Sequence, residues 1–131
     1  MQPQAANWRQ QQIEAGIACF NRQAFYDCHE HLENAWRDLP DGPEKIFFQG
    51  LIQIAVGFHH FNNLNIIGAR NLLKAGLQKL ELTQKQHDYI PLVLLPPFVQ
   101  KVREALNAIE MLPPQQINLL SLAFMPQLIL N

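Results

Sequence analysis

The sequence predicts an all-α fold: a single compact bundle of about five helices with an apolar C-terminal tail. Three observations predict it. Apolar residues recur at helical spacing through most of the chain, glycine and proline clusters cut that pattern into pieces of helix length, and no alternating run of strand type appears. With 131 residues, 48% of them hydrophobic and 16% charged, the chain suits one domain with a buried core. The whole span 1–131 is therefore read as a single helical domain.

The first helix is expected from about Asn7 to Phe20, where Ile13, Ile17 and Phe20 repeat at helical spacing behind Gln10, Gln11 and Gln12. Asn21 breaks that pattern. A second periodic segment runs from about Arg22 to Asp38 and stops at the turn cluster Leu39-Pro40-Asp41-Gly42-Pro43. The third, about Glu44 to Phe61, is apolar nearly all round, as a central helix should be. Asn62, Asn63 and Asn65 form a short loop in which Asn65 can cap the next helix. That fourth helix, about Ile66 to Leu82, gathers Ala69, Leu72, Leu73, Gly76, Leu77 and Leu80 on one face and polar residues on the other. A polar stretch with His87 and Asp88 follows. Pro96-Pro97 then opens a fifth helix to about Met111, Pro97 fitting a first turn where its missing N–H costs nothing. Beyond Pro113-Pro114, ten of the fourteen positions from Ile117 to Leu130 are apolar. The segment 115–131 is read as a tail packed on the bundle or on a neighbouring subunit, because a free apolar tail promotes aggregation.

Composition removes several classes of function. Ten Lys+Arg against eleven Asp+Glu give a net charge of −1, with no basic run, so nucleic-acid binding is not expected. No membrane span is expected, since Gln53, His59, His60 and the late prolines break every apolar stretch short of about 20 residues. The opening MQPQAANWRQQQ has neither the basic nor the apolar region of a signal peptide. Two cysteines, Cys19 and Cys28, do not make a disulfide framework and fit free buried thiols in a cytoplasmic protein.

The chemistry is concentrated in Phe25-Tyr-Asp-Cys-His-Glu-His-Leu-Glu-Asn-Ala-Trp36. With His29 placed at zero, Phe25, Leu32 and Trp36 fall at about −40°, −60° and −20°, and Glu33 at about +40°. His29 and Glu33 are thus expected inside an apolar stripe, while Asp27, His31, Asn34 and Asp38 form a solvated face. A carboxylate in such a stripe requires a partner, and His29 one turn away is the natural one. The same spacing lets an imidazole and a carboxylate converge on one cation. The third helix carries its own polar line, Gln49, Gln53 and His60, beside Gly50 and Gly57, and that line is expected to pack against the His29/Glu33/Trp36 face. His59 is placed on a different side. Cys28 is assigned to the margin of the stripe as a small hydrophobe. HEHLE is not the HExxH signature, since His31 points away from His29, and no phosphate loop, GxSxG elbow or CxxC pair is present.

The run His29-Glu30-His31-Leu32-Glu33-Asn34-Ala35-Trp36 fits the pattern HxxxExxW. It resembles the motif of an uncharacterised bacterial and archaeal family, domain of unknown function 309. The likeness extends to Phe20-Asn21, Phe25-Tyr26-Asp27, the run Gln49 to Val56, His60 and Asn65 to Ala69, covering roughly Phe20 to Leu80. The resemblance implies a compact helical fold and a metal-binding role for HxxxExxW, which falls on His29, Glu33 and Trp36. It implies no reaction.

Two functions follow as expectations. In the first, His29, Glu33 and His60 are ligands of a divalent metal (Zn, Mn, Ni or Fe) or part of a small-ligand site between two central helices. Trp36, Gln49 and Gln53 orient ligands or substrate, and a metal-dependent hydrolase is one outcome. Two or three ligands make a thin set, and the paired Glu-x-x-His motifs of a di-iron bundle are missing. In the second, the protein is a non-catalytic binding or scaffold module, and the same polar cluster is a buried hydrogen-bond network fixing the register of two helices. A homodimer is compatible with both.

Overall fold

Where the helical pattern lapses in the sequence, the chain turns, and each piece between is a helix. The computed structural model describes residues 3–111 and 126–131, among which five α-helices follow in order: α1 (Pro3–Asn21), α2 (Phe25–Trp36), α3 (Pro43–Asn62), α4 (Ile66–Gln84) and α5 (Leu95–Met111). The all-α expectation is borne out. The helix ends differ from it by a few residues: α1 begins at Pro3 rather than near Asn7, and α2 begins at Phe25 rather than near Arg22. The cause at α2 is local: Gln23 takes a left-handed φ of 66°, and the amides of Gln23 and Ala24 close the end of α1 on the carbonyls of Phe20 and Cys19 at 2.9 and 2.8 Å.

The other boundaries have equally local causes. Gly42, at a φ of 154° that side-chain-bearing residues rarely adopt, leads into Pro43 at the start of α3. Leu64 takes φ 61° in the α3–α4 turn, and the Asn65 side chain accepts a hydrogen bond from the Gly68 amide at 3.1 Å, the cap read from the sequence. Pro96 and Pro97 occupy the first turn of α5.

Each helix packs on the next in sequence, α1 on α2, α2 on α3, α3 on α4 and α4 on α5. The α3–α4 crossing is held close by glycines on both sides. A Cβ at Gly57 would meet the Leu73 side chain at 2.9 Å, and one at Gly76 would meet Ile54 at 2.7 Å and the Gly50 carbonyl at 2.9 Å. Around Phe20 the core is aromatic: its ring meets Phe25, Phe58 and Phe98 edge-on, with centroids 5.2, 6.2 and 5.5 Å away, which ties α1 to α2, α3 and α5.

After α4 the chain runs through Tyr89 to a short extended stretch at 91–94. Val93 there is fully buried and pairs antiparallel with Leu130. Residues 126–131 lie across α1 and this stretch, with Leu128 buried and its main chain held by Asn21. The part of the expected tail from 115 to 125 lies outside the described residues. No helix among the described residues is long and apolar enough to cross a membrane.

Candidate functional site

The buried stripe of α2 is Phe25, Cys28, Leu32 and Ala35. On the helical wheel these centre at about −80° from His29. The core face is therefore turned relative to the sequence expectation. Cys28 and Ala35 are wholly buried, while His29, Glu33 and Trp36 stand at the stripe's edge. The reason is α1, which packs along the Cys28 side: a Cβ at Gly16 would touch Leu32 at 2.6 Å, and His31 and Asn34 both reach the Gln12 side-chain oxygen on α1. His31 and Asn34, expected on a solvated face, thus line the α1–α2 contact.

At that edge His29 and Glu33 meet. His29 Nε2 lies 2.7 Å from Glu33 Oε2, with the two side chains 26% and 34% exposed, and Arg37 reaches the other carboxylate oxygen at 3.4 Å. The i,i+4 pairing is the one that helical spacing anticipates. The other ring nitrogen of His29, Nδ1, is buried and has no hydrogen-bond partner. Buried polar atoms of this kind are rare and call for a reason.

Trp36, one turn beyond Glu33, bridges to α3. Its Nε1–H donates to the Lys45 carbonyl at 3.1 Å, and the Lys45 ammonium sits 4.8 Å from its ring centroid. Trp36, Asp41, Gly42, Lys45, Ile46 and Gln49 enclose an open cavity of about 460 Å³ at the start of α3. Gln49 therefore does come to the α2–α3 seam, beside Trp36.

The rest of the polar line on α3 behaves otherwise. Gly50 and Gly57, adjacent to it on the wheel, face Leu80 and Leu73 of α4 rather than α2. His60 turns toward the start of α4, where its Nδ1 is 3.3 Å from Asn65 Nδ2. It is His59 that approaches α2: its ring is 5.3 Å from Tyr26, and Tyr26 is in turn 5.6 Å from His29. Helical spacing alone does not reveal this, because the glycine-flanked side of α3 faces α4 and not α2. Gln53 Oε1 is buried without a partner. The pairings Trp36–Lys45 and Tyr26–His59 fix α2 and α3 as antiparallel, which sets Gln53 at about the level of His29.

The donor set bears directly on a metal. Among the described residues no three His, Cys, Asp or Glu side chains converge as a closed metal site requires. His29 and Glu33 supply one nitrogen and one carboxylate at the right spacing on a rigid helix, a two-donor set that fits a weakly held, exchangeable ion. Zn–N and Zn–O bonds of about 2.0–2.1 Å at a tetrahedral angle separate two donors by about 3.4 Å, so the 2.7 Å pair would open slightly around one.

Cys28 does not add a nucleophile. Cys28 is fully buried, and that burial, with Cys19 beside it, pushes its thiol well above the ordinary range, although a hydrogen bond with the Phe20 backbone acts the other way. Both cysteines are free thiols.

Comparison with known proteins bears out the resemblance read from the motif. Residues 13–72 match the family model described as Domain of unknown function (DUF309), a span that contains all of α2 and α3 and the first part of α4. Over 57 residues the chain is 33% identical to a curated relative of Bacillus subtilis (strain 168) named "Uncharacterized protein YpuF". That alignment covers 44% of this chain and 33% of the relative, so the chain spans about a third of that protein's length. No solved structure matches.

Proposed function

We propose that the face of α2 carrying His29 and Glu33 binds a divalent cation, and that the cavity beside Trp36 and Gln49 receives whatever that ion acts upon. The observation that carries this reading is the meeting of His29 and Glu33 one turn apart: Nε2 and Oε2 lie 2.7 Å from each other at the partly exposed edge of α2, an imidazole nitrogen and a carboxylate oxygen that would open slightly to share one ion. Gln53, whose Oε1 is buried without a partner on the neighbouring helix, would orient what binds there. A cation with so few protein donors retains water, and a bound water made acidic by the ion would supply the nucleophile of a hydrolysis. His60, paired with Asn65, is not part of this donor set. The same reading makes the protein a cytoplasmic one, consistent with Cys19 and Cys28 as free buried thiols, and a homodimer.

A second reading has one observation in its favour. The 2.7 Å contact between His29 and Glu33 is already a good charge-assisted hydrogen bond, so the pair can serve as a purely structural brace in a non-catalytic scaffold module.

Thermal unfolding of chelator-stripped protein in the presence of Zn²⁺, Mn²⁺ or Ni²⁺ separates the two. At 100 times the dissociation constant, an ion bound only by the folded state stabilises it by about 2.7 kcal/mol. That corresponds to several degrees in a chain of this size, and it is the expected result for the wild type and for His60→Ala. His29→Ala and Glu33→Ala are expected to show no response. A wild type indifferent to all three ions would leave the structural brace as the function of the pair.

A further inference from the structure

Residues 126–131 are bound through four main-chain hydrogen bonds, the side-chain amides of Gln127 and Asn131 and the buried Leu128 side chain, in the manner of a docked peptide. The Asn21 side chain grips Leu128 from both sides: Oδ1 accepts from the Leu128 amide at 2.7 Å, and Nδ2 donates to its carbonyl at 2.9 Å. Gln127 Nε2 returns a bond to the Asn21 carbonyl at 3.1 Å. Further along, the Leu94 amide donates to the Ile129 carbonyl at 2.8 Å and the Asn131 amide to the Leu92 carbonyl at 2.9 Å, the two bonds of an isolated antiparallel bridge between Val93 and Leu130. Pro126 and Leu128 point inward at strand spacing.

We propose that this seam is a docking site for residues 126–131 of a second copy of the chain, so that two copies exchange the segment and form a dimer. Every bond just named is the same whether the segment comes from its own chain or from another. Fourteen residues, 112–125, join α5 to the segment. At about 3.3–3.6 Å per extended residue they can span roughly 45–50 Å, which is enough to reach a neighbour. The seam is also ringed by exposed apolar side chains, Ile90, Leu94, Ile129 and Leu130, which a single copy leaves in water. Contact between two copies at this rim would give these residues a partner.

The test uses the full chain. Val93 and Leu130 face each other as a pair without mutual hydrogen bonds, flanked by the two bonds of the bridge. Cα atoms in such pairs are about 4.5 Å apart, within disulfide range. Val93→Cys/Leu130→Cys, oxidised at high protein concentration and run without reductant, is expected to give a covalent dimer absent from either single variant. Sedimentation velocity of the unsubstituted chain should show a concentration-dependent dimer, diminished by Asn21→Ala. A chain that sediments as a monomer throughout overturns the proposal. So does a dimer in which the two cysteines bond only within one chain, since the copies then meet elsewhere.

Discussion

Glu33 Oε2 lies 2.7 Å from His29 Nε2, one helical turn along α2, and Arg37 approaches the other oxygen of the same carboxylate at 3.4 Å from the following turn. The three side chains form a line at the edge of the buried stripe, about a third exposed at Glu33. On the cation-site reading this position serves two demands on the carboxylate, dry enough to favour pairing with the imidazole and wet enough for an exchanging ion to reach it.

Because Glu33 keeps contact with water, its removal is expected to cost little stability. Glu33→Gln should change the unfolding free energy by less than about 1 kcal/mol, as partly exposed ion pairs do, measured by urea denaturation at neutral pH. On the cation-site reading the same variant loses most of its response to added metal. A large stability loss with the metal response intact would contradict that assignment.

Trp36 joins α2 to α3 by one hydrogen bond and one cation–π contact, both involving Lys45. Trp36→Phe keeps most of the apolar area and loses the indole N–H, leaving the Lys45 carbonyl short of a donor. The expected loss is about 1–2 kcal/mol in equilibrium unfolding. Lys45→Ala retains the backbone acceptor and should cost less.

The α3–α4 crossing depends on Gly76. A methyl group there would lie 2.7 Å from Ile54 and 2.9 Å from the Gly50 carbonyl, which as backbone cannot easily give way. Gly76→Ala should destabilise by about 1–3 kcal/mol, despite the better helix propensity of alanine. Gly68→Ala, near the start of α4, meets mainly the side chains of Asn65 and His60, which can move, and is expected to be milder.

Tyr89 is half-buried against Phe47, and its phenol is pushed upward from its ordinary value of 10.0 by burial and then by the nearby Glu44 carboxylate. The folded state therefore holds this proton more tightly than the unfolded chain does. The associated stability is fully present below about pH 10 and declines as pH rises beyond it. Urea midpoints measured from pH 8 to 11 should fall more steeply in the wild type than in Tyr89→Phe. Equal slopes would remove Tyr89 from the alkaline transition.

Much of the fold is legible from local signals. Asn65 as a cap, Pro96 and Pro97 in a first turn and the largely apolar α3 all follow from residue chemistry acting within a few positions. The His29–Glu33 pair is legible for the same reason, being one turn apart on one helix. What fails is the assignment of partners between helices. Gly50 and Gly57 show that something packs close to α3, but not that it is α4, and His60 was placed on the wrong neighbour as a consequence. The rotation of the α2 stripe toward Cys28 and Ala35 is equally invisible locally, since it is set by α1 through Gly16, Gln12 and Leu32. Asn21 was read only as a helix breaker, although it also clamps Leu128, 107 residues away. A contact at that separation leaves no periodicity to read.

The most direct measurement is the metal content of the untagged protein purified without chelator, beside His29→Ala prepared in the same way. A site at His29 and Glu33 predicts zinc, manganese, nickel or iron in the wild type, or its stoichiometric uptake on dialysis against millimolar metal, and neither in the variant. A wild type that stays metal-free after dialysis, or a variant that takes up as much as the wild type, would contradict it.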